Sequence, residues 1–114
     1  MDMVRGKLAI LILLFLMAFS SSTWAGEAFW IDVRSADEYA SGHVEGASNI
    51  PYTEITARIA EVTGDKDDLI YVYCRSGRRS GIAKQALMEA GYTNVINLGG
   101  LEDARKKAAA DASP

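Results

Sequence analysis

Hydrophobic and polar residues follow two periods along the chain, and the changes between them mark the predicted elements. Three short runs rich in aromatic and β-branched residues predict strands, at Phe29–Val33, Leu69–Tyr73 and Val95–Leu98. Leu69–Tyr73 is apolar on both alternating faces, which is typical of a strand buried between two layers. A briefer strand is predicted at Ala47–Ile50, where Pro51 closes the segment.

Between the strands, apolar residues recur every three or four positions, which is the spacing of an amphipathic helix. This pattern predicts helices over residues 52–62, 80–90 and 101–110. A shorter helix is predicted after Ser35, because Ser35 and Glu38 have capping-box spacing and Gly42 can end the helix. The helix over residues 80–90 is expected to bury one apolar face, made of Ile82, Ala83, Ala86, Leu87 and Ala90.

Strands that alternate with helices predict an α/β domain with a mostly parallel sheet. In open sheets of this kind, ligands bind outside the carboxyl ends of the strands. The buried run Leu69–Tyr73 leads directly into Cys74, so we expect Cys74 at that edge of the sheet.

The amino-terminal segment has a composition of its own. Arg5 and Lys7 precede the twelve apolar residues Leu8–Phe19, and small residues follow as far as Ala25. This order is that of a secretory signal peptide with cleavage after Ala25. Twelve apolar residues fall short of the roughly 20 that span a bilayer. We therefore expect residues 1–25 to be a signal peptide, with a retained membrane anchor as the alternative.

With that segment removed, residues 26–114 are expected to form a single domain that is periplasmic or secreted. The whole chain has a formal net charge of −3, and loss of Arg5 and Lys7 makes the remainder more acidic. Acidity argues against nucleic acid as a partner, because phosphate binding needs a basic face. We expect a monomer that has no membrane contact once the signal peptide is removed.

Cys74 is the only cysteine, so its thiol is either a reactive site or an intermolecular bridge. Only the thiolate is a strong nucleophile, and the surrounding sequence offers two ways to stabilise it. Three arginines follow closely, and a strand–loop–helix turn directs the N–H groups of a helix start to the same place. This context favours a reactive thiol over a buried structural one.

Several segments occur in the order and spacing of a known family. They are Asp32-Val33-Arg34, Gly42–Pro51, Tyr73–Ser80, Gly91-Tyr92 and Leu98-Gly99-Gly100. Together they resemble the single-domain rhodaneses from about residue 30 to residue 101. With the amino-terminal segment added, the chain resembles the small exported members of that family, the phage-shock-type thiosulfate sulfurtransferases.

The resemblance implies a rhodanese-like fold, in which a small parallel sheet is flanked by helices. It also implies that Cys74 takes a sulfane sulfur from thiosulfate, becomes a persulfide, and passes the sulfur to cyanide or a thiol. Neither a metal nor an organic cofactor is expected. The candidates for binding the donor are the residues that follow the cysteine, Arg75, Ser76, Gly77, Arg78, Arg79 and Ser80.

The chemistry of the loop agrees with this resemblance. Thiosulfate is a dianion, so a thiolate that attacks it needs nearby positive charge, and loop N–H groups can surround the bound sulfur. Cysteine phosphatases with a similar loop place an arginine six residues after the cysteine. Here Arg79 stands five residues after Cys74, and Ser80 stands six after it. The shorter loop favours a sulfur atom over a phosphoryl group, and therefore disfavours a phosphatase or an arsenate reductase.

Several residues also have structural interpretations. Ser80 is predicted to be a helix N-cap, and His43, the only histidine, to make a structural hydrogen bond. Asp32 and Arg34 are predicted to make either local backbone hydrogen bonds or a salt bridge. For Arg79, the sequence leaves open contact with the donor and pairing with an acid near the loop. One of the other two loop arginines is expected to point to solvent.

Two other functions share the same loop. A persulfide carrier would gain a sulfur but turn it over slowly. A rhodanese-shaped binding module would have no sulfur chemistry, and the presence of Cys74 among arginines argues against it.

Overall fold

A computed structural model describes residues 27–113 of the chain. Strands and helices alternate along this part, as predicted. They are β1 (Phe29–Asp32), α1 (Ala36–Ser41), β2 (Ser48–Asn49), α2 (Ile55–Arg58), β3 (Ile70–Cys74), α3 (Arg78–Glu89), β4 (Val95–Gly100) and α4 (Leu101–Ala112). Within residues 27–113, no helix has the length and apolar character needed to cross a membrane. The predicted signal peptide lies outside the described residues.

The strands form one sheet in the order β2-β1-β3-β4, and every neighbouring pair is parallel. This arrangement confirms the predicted α/β fold. β3 has a strand on each side, and all of its residues are buried, as its continuous apolar run indicates. Cys74 is the last residue of β3 and therefore lies at the carboxyl edge of the sheet.

Helices cover both faces of the sheet. On one face, Ile55 of α2 and Leu87 of α3 belong to the same buried cluster as Val72 of β3. On the other face, Ala104 of α4 packs in a second cluster with Tyr73. Full burial of a side chain such as Leu87 stabilises the fold by about 1.5–3 kcal/mol. A chain with one cysteine has no internal disulfide, so these two clusters must stabilise the domain.

The capping box predicted at the start of α1 is confirmed. The Glu38 N–H donates to the Ser35 hydroxyl oxygen, and the Ser35 N–H donates to the Glu38 carboxylate, both at 3.2 Å. Gly42 follows the helix with φ +148, and the helix ends there as predicted.

Two helical predictions are wrong in detail. Residues 52–62 form two 3-10 turns around the four-residue helix α2, although Ile55 and Ile59 are buried as their spacing predicts. None of the three pieces has a side-chain N-cap, and β-branched residues are frequent, which weakens a continuous helix. On α3, Ile82 is 44 % exposed, so the buried face of that helix is narrower than predicted.

β4 extends further than the sequence predicts, running through Gly100 directly into α4. Its register with β3 shifts by one residue, because Asn97 pairs with Val72 while Gly99 pairs with Tyr73. Leu98 is therefore the extra residue of a β-bulge. α4 also continues to Ala112, two residues beyond the predicted end.

Candidate active site

The predicted strand–loop–helix arrangement surrounds the Cys74 thiol. Cys74 ends β3, and after three loop residues α3 begins at Arg78. The Cys74 Sγ accepts the backbone N–H of Gly77 at 3.0 Å and lies 3.4 Å from the Ser80 Oγ. Both donors lie at the start of α3, where free N–H groups and the helix dipole favour negative charge.

The loop is packed tightly against β4. Gly77 has φ +102, and a Cβ at this position would lie 3.3 Å from the Gly99 Cα. A side chain on Gly100 would collide with the carbonyl oxygen of Arg75. Glycine is therefore needed on both sides of the contact, and the contact fixes the loop N–H groups in position.

The environment of Cys74 lowers its thiol pKa, although the residue is only 1 % exposed. Burial by itself raises the pKa, because it disfavours the charged form. Hydrogen bonds from the Ser80 side chain and from the backbone of Ser80, Ser76 and Gly77 outweigh burial and lower the pKa to about 7. About half of the cysteine is then thiolate at neutral pH. The sequence also predicts that arginine charge stabilises the thiolate, but hydrogen bonds are the main cause of the lowered thiol pKa.

Ser80 is not the N-cap that the sequence predicts. Gly77 occupies that position, so Ser80 lies in the first turn of α3 and is fully buried. Its Oγ lies 3.4 Å from the Cys74 Sγ and 2.7 Å from the Asn97 Oδ1. The prediction is wrong because the hydroxyl finds partners on neighbouring strands, which the local sequence does not encode.

The three loop arginines have different surroundings. Arg75 and Arg78 are both exposed, whereas Arg79 is partly buried. The Arg79 guanidinium donates to the Glu38 carboxylate of α1 through Nη1 at 2.7 Å and Nη2 at 3.0 Å. This bond, together with hydrogen bonds from Ser35, lowers the pKa of Glu38 to about 2. Of the two roles left open for Arg79, the structure contains the pairing with an acid.

Asp32, Arg34 and His43 have the structural roles predicted for them. Asp32 and Arg34 are buried and form a salt bridge of 2.7 Å, and the same Arg34 Nη2 donates to the Gly42 carbonyl at 2.6 Å. The His43 Nδ1 lies 2.7 Å from the Tyr39 carbonyl oxygen, and its ring stacks on the Tyr39 ring. These contacts fix the segment that follows α1.

Asn97 of β4 is a site residue that the sequence interpretation misses. Its Nδ2 donates to the Gly77 carbonyl at 3.0 Å, and its Oδ1 accepts the Gly99 N–H at 2.9 Å. The same Oδ1 lies 2.7 Å from the Ser80 hydroxyl. The sequence contains a signal for it, because a polar residue of low strand propensity near the end of a parallel strand is unusual and ligand sites form there.

Two surface cavities differ in their relation to this loop. A cavity of about 390 Å³ lies beside it, lined among others by Arg75, Glu38 and Asp103. A larger one of about 710 Å³ lies at the amino ends of the strands, near Trp30 and Tyr71, and contains none of the predicted site residues. One predicted site residue, Arg75, lines the smaller cavity, and Cys74 lines neither. In the part of the chain described here, no group of His, Cys, Asp and Glu side chains is arranged to hold a metal ion.

Comparison with known proteins agrees with this geometry. The family model of the Rhodanese-like domain matches residues 19–107. The chain is 51 % identical over 87 residues to thiosulfate sulfurtransferase PspE of Escherichia coli (strain K12), covering 76 % of this chain and 83 % of that protein. It is 40 % identical over 70 residues to a protein of Allochromatium vinosum named sulfurtransferase, covering 61 % of this chain and 64 % of the relative.

Solved structures have the same fold. A rhodanese with anions from E. coli superposes with a TM-score of 0.65 at 52 % identity, covering 68 % of this chain and 91 % of that one. The human single-domain sulfurtransferase TSTD1 superposes with a TM-score of 0.62 at 28 % identity, covering 83 % of this chain and 93 % of that one. The resemblance seen in the sequence motifs is confirmed, and the chain belongs to the rhodanese family.

Proposed function

We propose that the chain is a thiosulfate sulfurtransferase that carries the transferred sulfur as a persulfide on Cys74. The observation that carries this proposal is the Cys74 Sγ at the end of β3, which accepts the Gly77 N–H and faces the Ser80 hydroxyl. A thiol pKa of about 7 makes the nucleophilic thiolate available at neutral pH. Relatives named as sulfurtransferases support the reaction class.

In the first half-reaction, the Cys74 thiolate attacks the outer sulfur of thiosulfate. A bond forms between Sγ and that sulfur, the sulfur–sulfur bond of thiosulfate breaks, and sulfite leaves with the electron pair. The protein becomes a persulfide with negative charge on its outer sulfur. This step transfers no proton, which fits a chain whose one histidine, His43, contacts Tyr39.

In the second half-reaction, cyanide or an acceptor thiolate attacks the outer sulfur of the persulfide. The bond between the Cys74 Sγ and the outer sulfur breaks, and its electron pair returns to Sγ. Thiocyanate, or the persulfide of the acceptor thiol, is released, and the thiolate is regenerated.

We assign donor binding to loop residues 75–78 and Ser80, and support of the loop to Arg79. Thiolate and thiosulfate repel each other, so the reaction needs a site that is already arranged to stabilise negative charge. Backbone N–H groups of Ser76 and Gly77 are directed at the sulfur, and the exposed Arg75 and Arg78 supply positive charge. Arg79 is held by Glu38 and orders the loop.

Thiocyanate production from thiosulfate and cyanide tests the function. We expect the wild-type chain to form thiocyanate and the Cys74→Ser variant to form none. After exposure to thiosulfate alone, the intact mass of the wild type should increase by one sulfur atom. A mass increase without turnover by cyanide or thiols would favour a persulfide carrier, and absence of both signals would refute the proposal.

We also propose that residues 1–25 direct export and are then removed. The support is the order of basic, apolar and small residues in this segment. Amino-terminal sequencing of the protein from fractionated cells should find Gly26 as the first residue, outside the cytoplasm. An intact amino terminus in the membrane fraction would instead indicate a retained anchor.

A further inference from the structure

The Ser80 hydroxyl has one proton and faces two acceptors. Its Oγ lies 2.7 Å from the Asn97 Oδ1 and 3.4 Å from the Cys74 Sγ. A hydroxyl donates one hydrogen bond, so a proton directed at Asn97 is withheld from Cys74. The shorter distance favours Asn97 while the cysteine is a neutral thiol. A thiolate or a persulfide is charged and is therefore the stronger acceptor.

The other contacts of Asn97 determine which of its atoms faces Ser80. Nδ2 donates to the Gly77 carbonyl, and Oδ1 accepts the Gly99 N–H. A half-turn of the amide would place its NH₂ group against the Gly99 N–H and its oxygen against the Gly77 carbonyl. Only the observed orientation satisfies both partners, so an acceptor oxygen is held beside the Ser80 hydroxyl.

Asn97 also holds the second donor to the sulfur. The Gly77 carbonyl is bound by Asn97 at 3.0 Å, and the Gly77 N–H donates to the Cys74 Sγ at the same distance. The bulge at Leu98 separates the pairing of Asn97 from that of Gly99, so one side chain can reach the loop and its own strand. Asn97 thus contacts two of the residues that donate to the sulfur, Gly77 and Ser80.

We propose that Asn97 is a positioning residue that sets how strongly the loop stabilises negatively charged sulfur on Cys74. It accepts the hydrogen bond of the Ser80 hydroxyl while the cysteine is a resting thiol, and the hydroxyl donates to the sulfur instead when the thiolate or persulfide forms. The catalytic meaning of this inference rests on the proposed function. Its effect on the thiol needs no sulfur donor and is measured independently.

The first test is Asn97→Asp, with the ionisation of Cys74 read from the pH dependence of its alkylation by iodoacetamide. A carboxylate keeps the acceptor but holds the Ser80 proton more strongly, loses the donor to Gly77, and adds negative charge. We expect the midpoint to rise by about one pH unit, and alkylation at pH 7 to slow about fivefold. The matched control is Asn94→Asp, the same change at an exposed position just before β4, which should leave the midpoint unchanged. Equal midpoints for the two variants would overturn the proposal.

The substitutions leave unchanged the other charged and titratable groups around the loop, so these do not account for a difference between the two variants. These unchanged groups are Arg75 on the loop, Arg78 and Arg79 on α3, Glu38 on α1, Tyr52 near Arg79, and Asp103 at the start of α4.

A second set of variants removes the added charge and applies even if Asn97→Asp does not fold. Ser80→Ala is compared in the wild-type chain and in Asn97→Ala. If Asn97 competes for the hydrogen bond of Ser80, the hydroxyl donates only to the sulfur in Asn97→Ala. Ser80→Ala should then raise the midpoint of thiol ionisation more in the Asn97→Ala background than in the wild-type chain. Equal shifts in the two backgrounds would show that Asn97 does not act through Ser80.

The two proposals fail separately. Midpoint shifts as expected, in a protein that makes no persulfide from thiosulfate, would refute the proposed function and support the role of Asn97. Normal thiosulfate turnover with coincident alkylation profiles would refute the role of Asn97 alone.

Discussion

The Arg79 guanidinium and the Glu38 carboxylate, 41 residues apart in the chain, are joined by hydrogen bonds of 2.7 and 3.0 Å. Glu38 also accepts the N–H of Ser35 and closes the capping box of α1. A single carboxylate therefore fixes the start of α1 and the loop that carries Cys74. We propose from this arrangement that Arg79 supports the loop.

Glu38→Gln and Arg79→Ala are predicted to have similar effects on thiosulfate turnover, because each removes the same ion pair. Both should raise KM for thiosulfate several-fold and lower the free energy of unfolding by about 1 kcal/mol, as expected for a partly exposed ion pair. Steady-state kinetics and urea unfolding measure the two quantities. A much larger kinetic loss in Arg79→Ala than in Glu38→Gln would mean that Arg79 contacts the donor itself. Unchanged kinetics in a folded Arg79→Ala would exclude any role for it in donor use.

The same pair predicts an acid-dependent loss of stability. The pKa of Glu38 is lowered from 4.5 in an ordinary glutamate to about 2 in the folded chain, so folding favours the ionised form. Its stabilising contribution is complete above pH 4.5 and is lost as the pH falls toward 2. Urea unfolding at several pH values should show a steeper decline for the wild type than for Glu38→Gln. Parallel curves would contradict this prediction.

Gly77→Ala is predicted to disrupt the loop. A residue with a Cβ is strained at φ +102, and the Cβ would lie 3.3 Å from the Gly99 backbone. We expect a loss of about 1–3 kcal/mol in stability and a larger proportional loss of thiosulfate turnover. Gly64→Ala is the matched control, since no atom lies within 4 Å of its added Cβ. Equal stability and activity of the two variants would show that the loop does not depend on this backbone conformation.

Sulfur transfer is predicted to increase with pH around neutrality. The folded-state pKa of Cys74 is about 7, so the thiolate fraction and the rate of thiosulfate attack should rise together through that pH. Ser80→Ala removes one hydrogen bond to the sulfur and should raise the midpoint by about 0.5–1 pH unit. Thiolate absorbance and persulfide formation rates provide two independent readings. A midpoint that does not move in Ser80→Ala would exclude the hydroxyl as a partner of the sulfur.

Asp32→Ala is predicted to destabilise the fold severely. Asp32 is fully buried and Arg34 is 5 % exposed, so the substitution leaves a buried guanidinium without its carboxylate. Loss of one partner from such a pair typically costs about 3–5 kcal/mol. Thermal unfolding should show a large fall in Tm, whereas Arg58→Ala, which removes ion pairs at the surface, should leave Tm nearly unchanged. Similar Tm values for the two variants would contradict the assignment of Asp32 as a buried structural partner.

Much of this fold could be predicted because its signals are local. The capping box of Ser35 and Glu38 needs only their spacing, and β3 is marked by an uninterrupted apolar run. The position of Cys74 follows from that strand and from the helical pattern after it. Each of these features depends on residues that are close together in the chain, so the sequence pattern can predict it.

The contacts that the sequence could not supply join distant segments. Asn97 meets Gly77 and Ser80 only because β4 pairs with β3 in a shifted register, and a one-residue bulge cannot be read from periodicity. Ser80 is likewise a residue type that often caps helices, but its hydroxyl faces residues on neighbouring strands. Where tertiary hydrogen bonds compete with local ones, the sequence pattern alone cannot decide between them.

The bulge at Leu98 also determines which residues must be moved together when this site is grafted into another protein. Gly77 and Arg75 lie against Gly99 and Gly100. Asn97 is hydrogen-bonded to the same loop, so contacts with β4 determine the loop conformation. A protein engineer who grafts residues 74–80 onto another strand–helix junction would move the thiol without the surface that shapes its surroundings. The smallest transferable unit therefore runs from β3 through Gly100, and it includes the bulge.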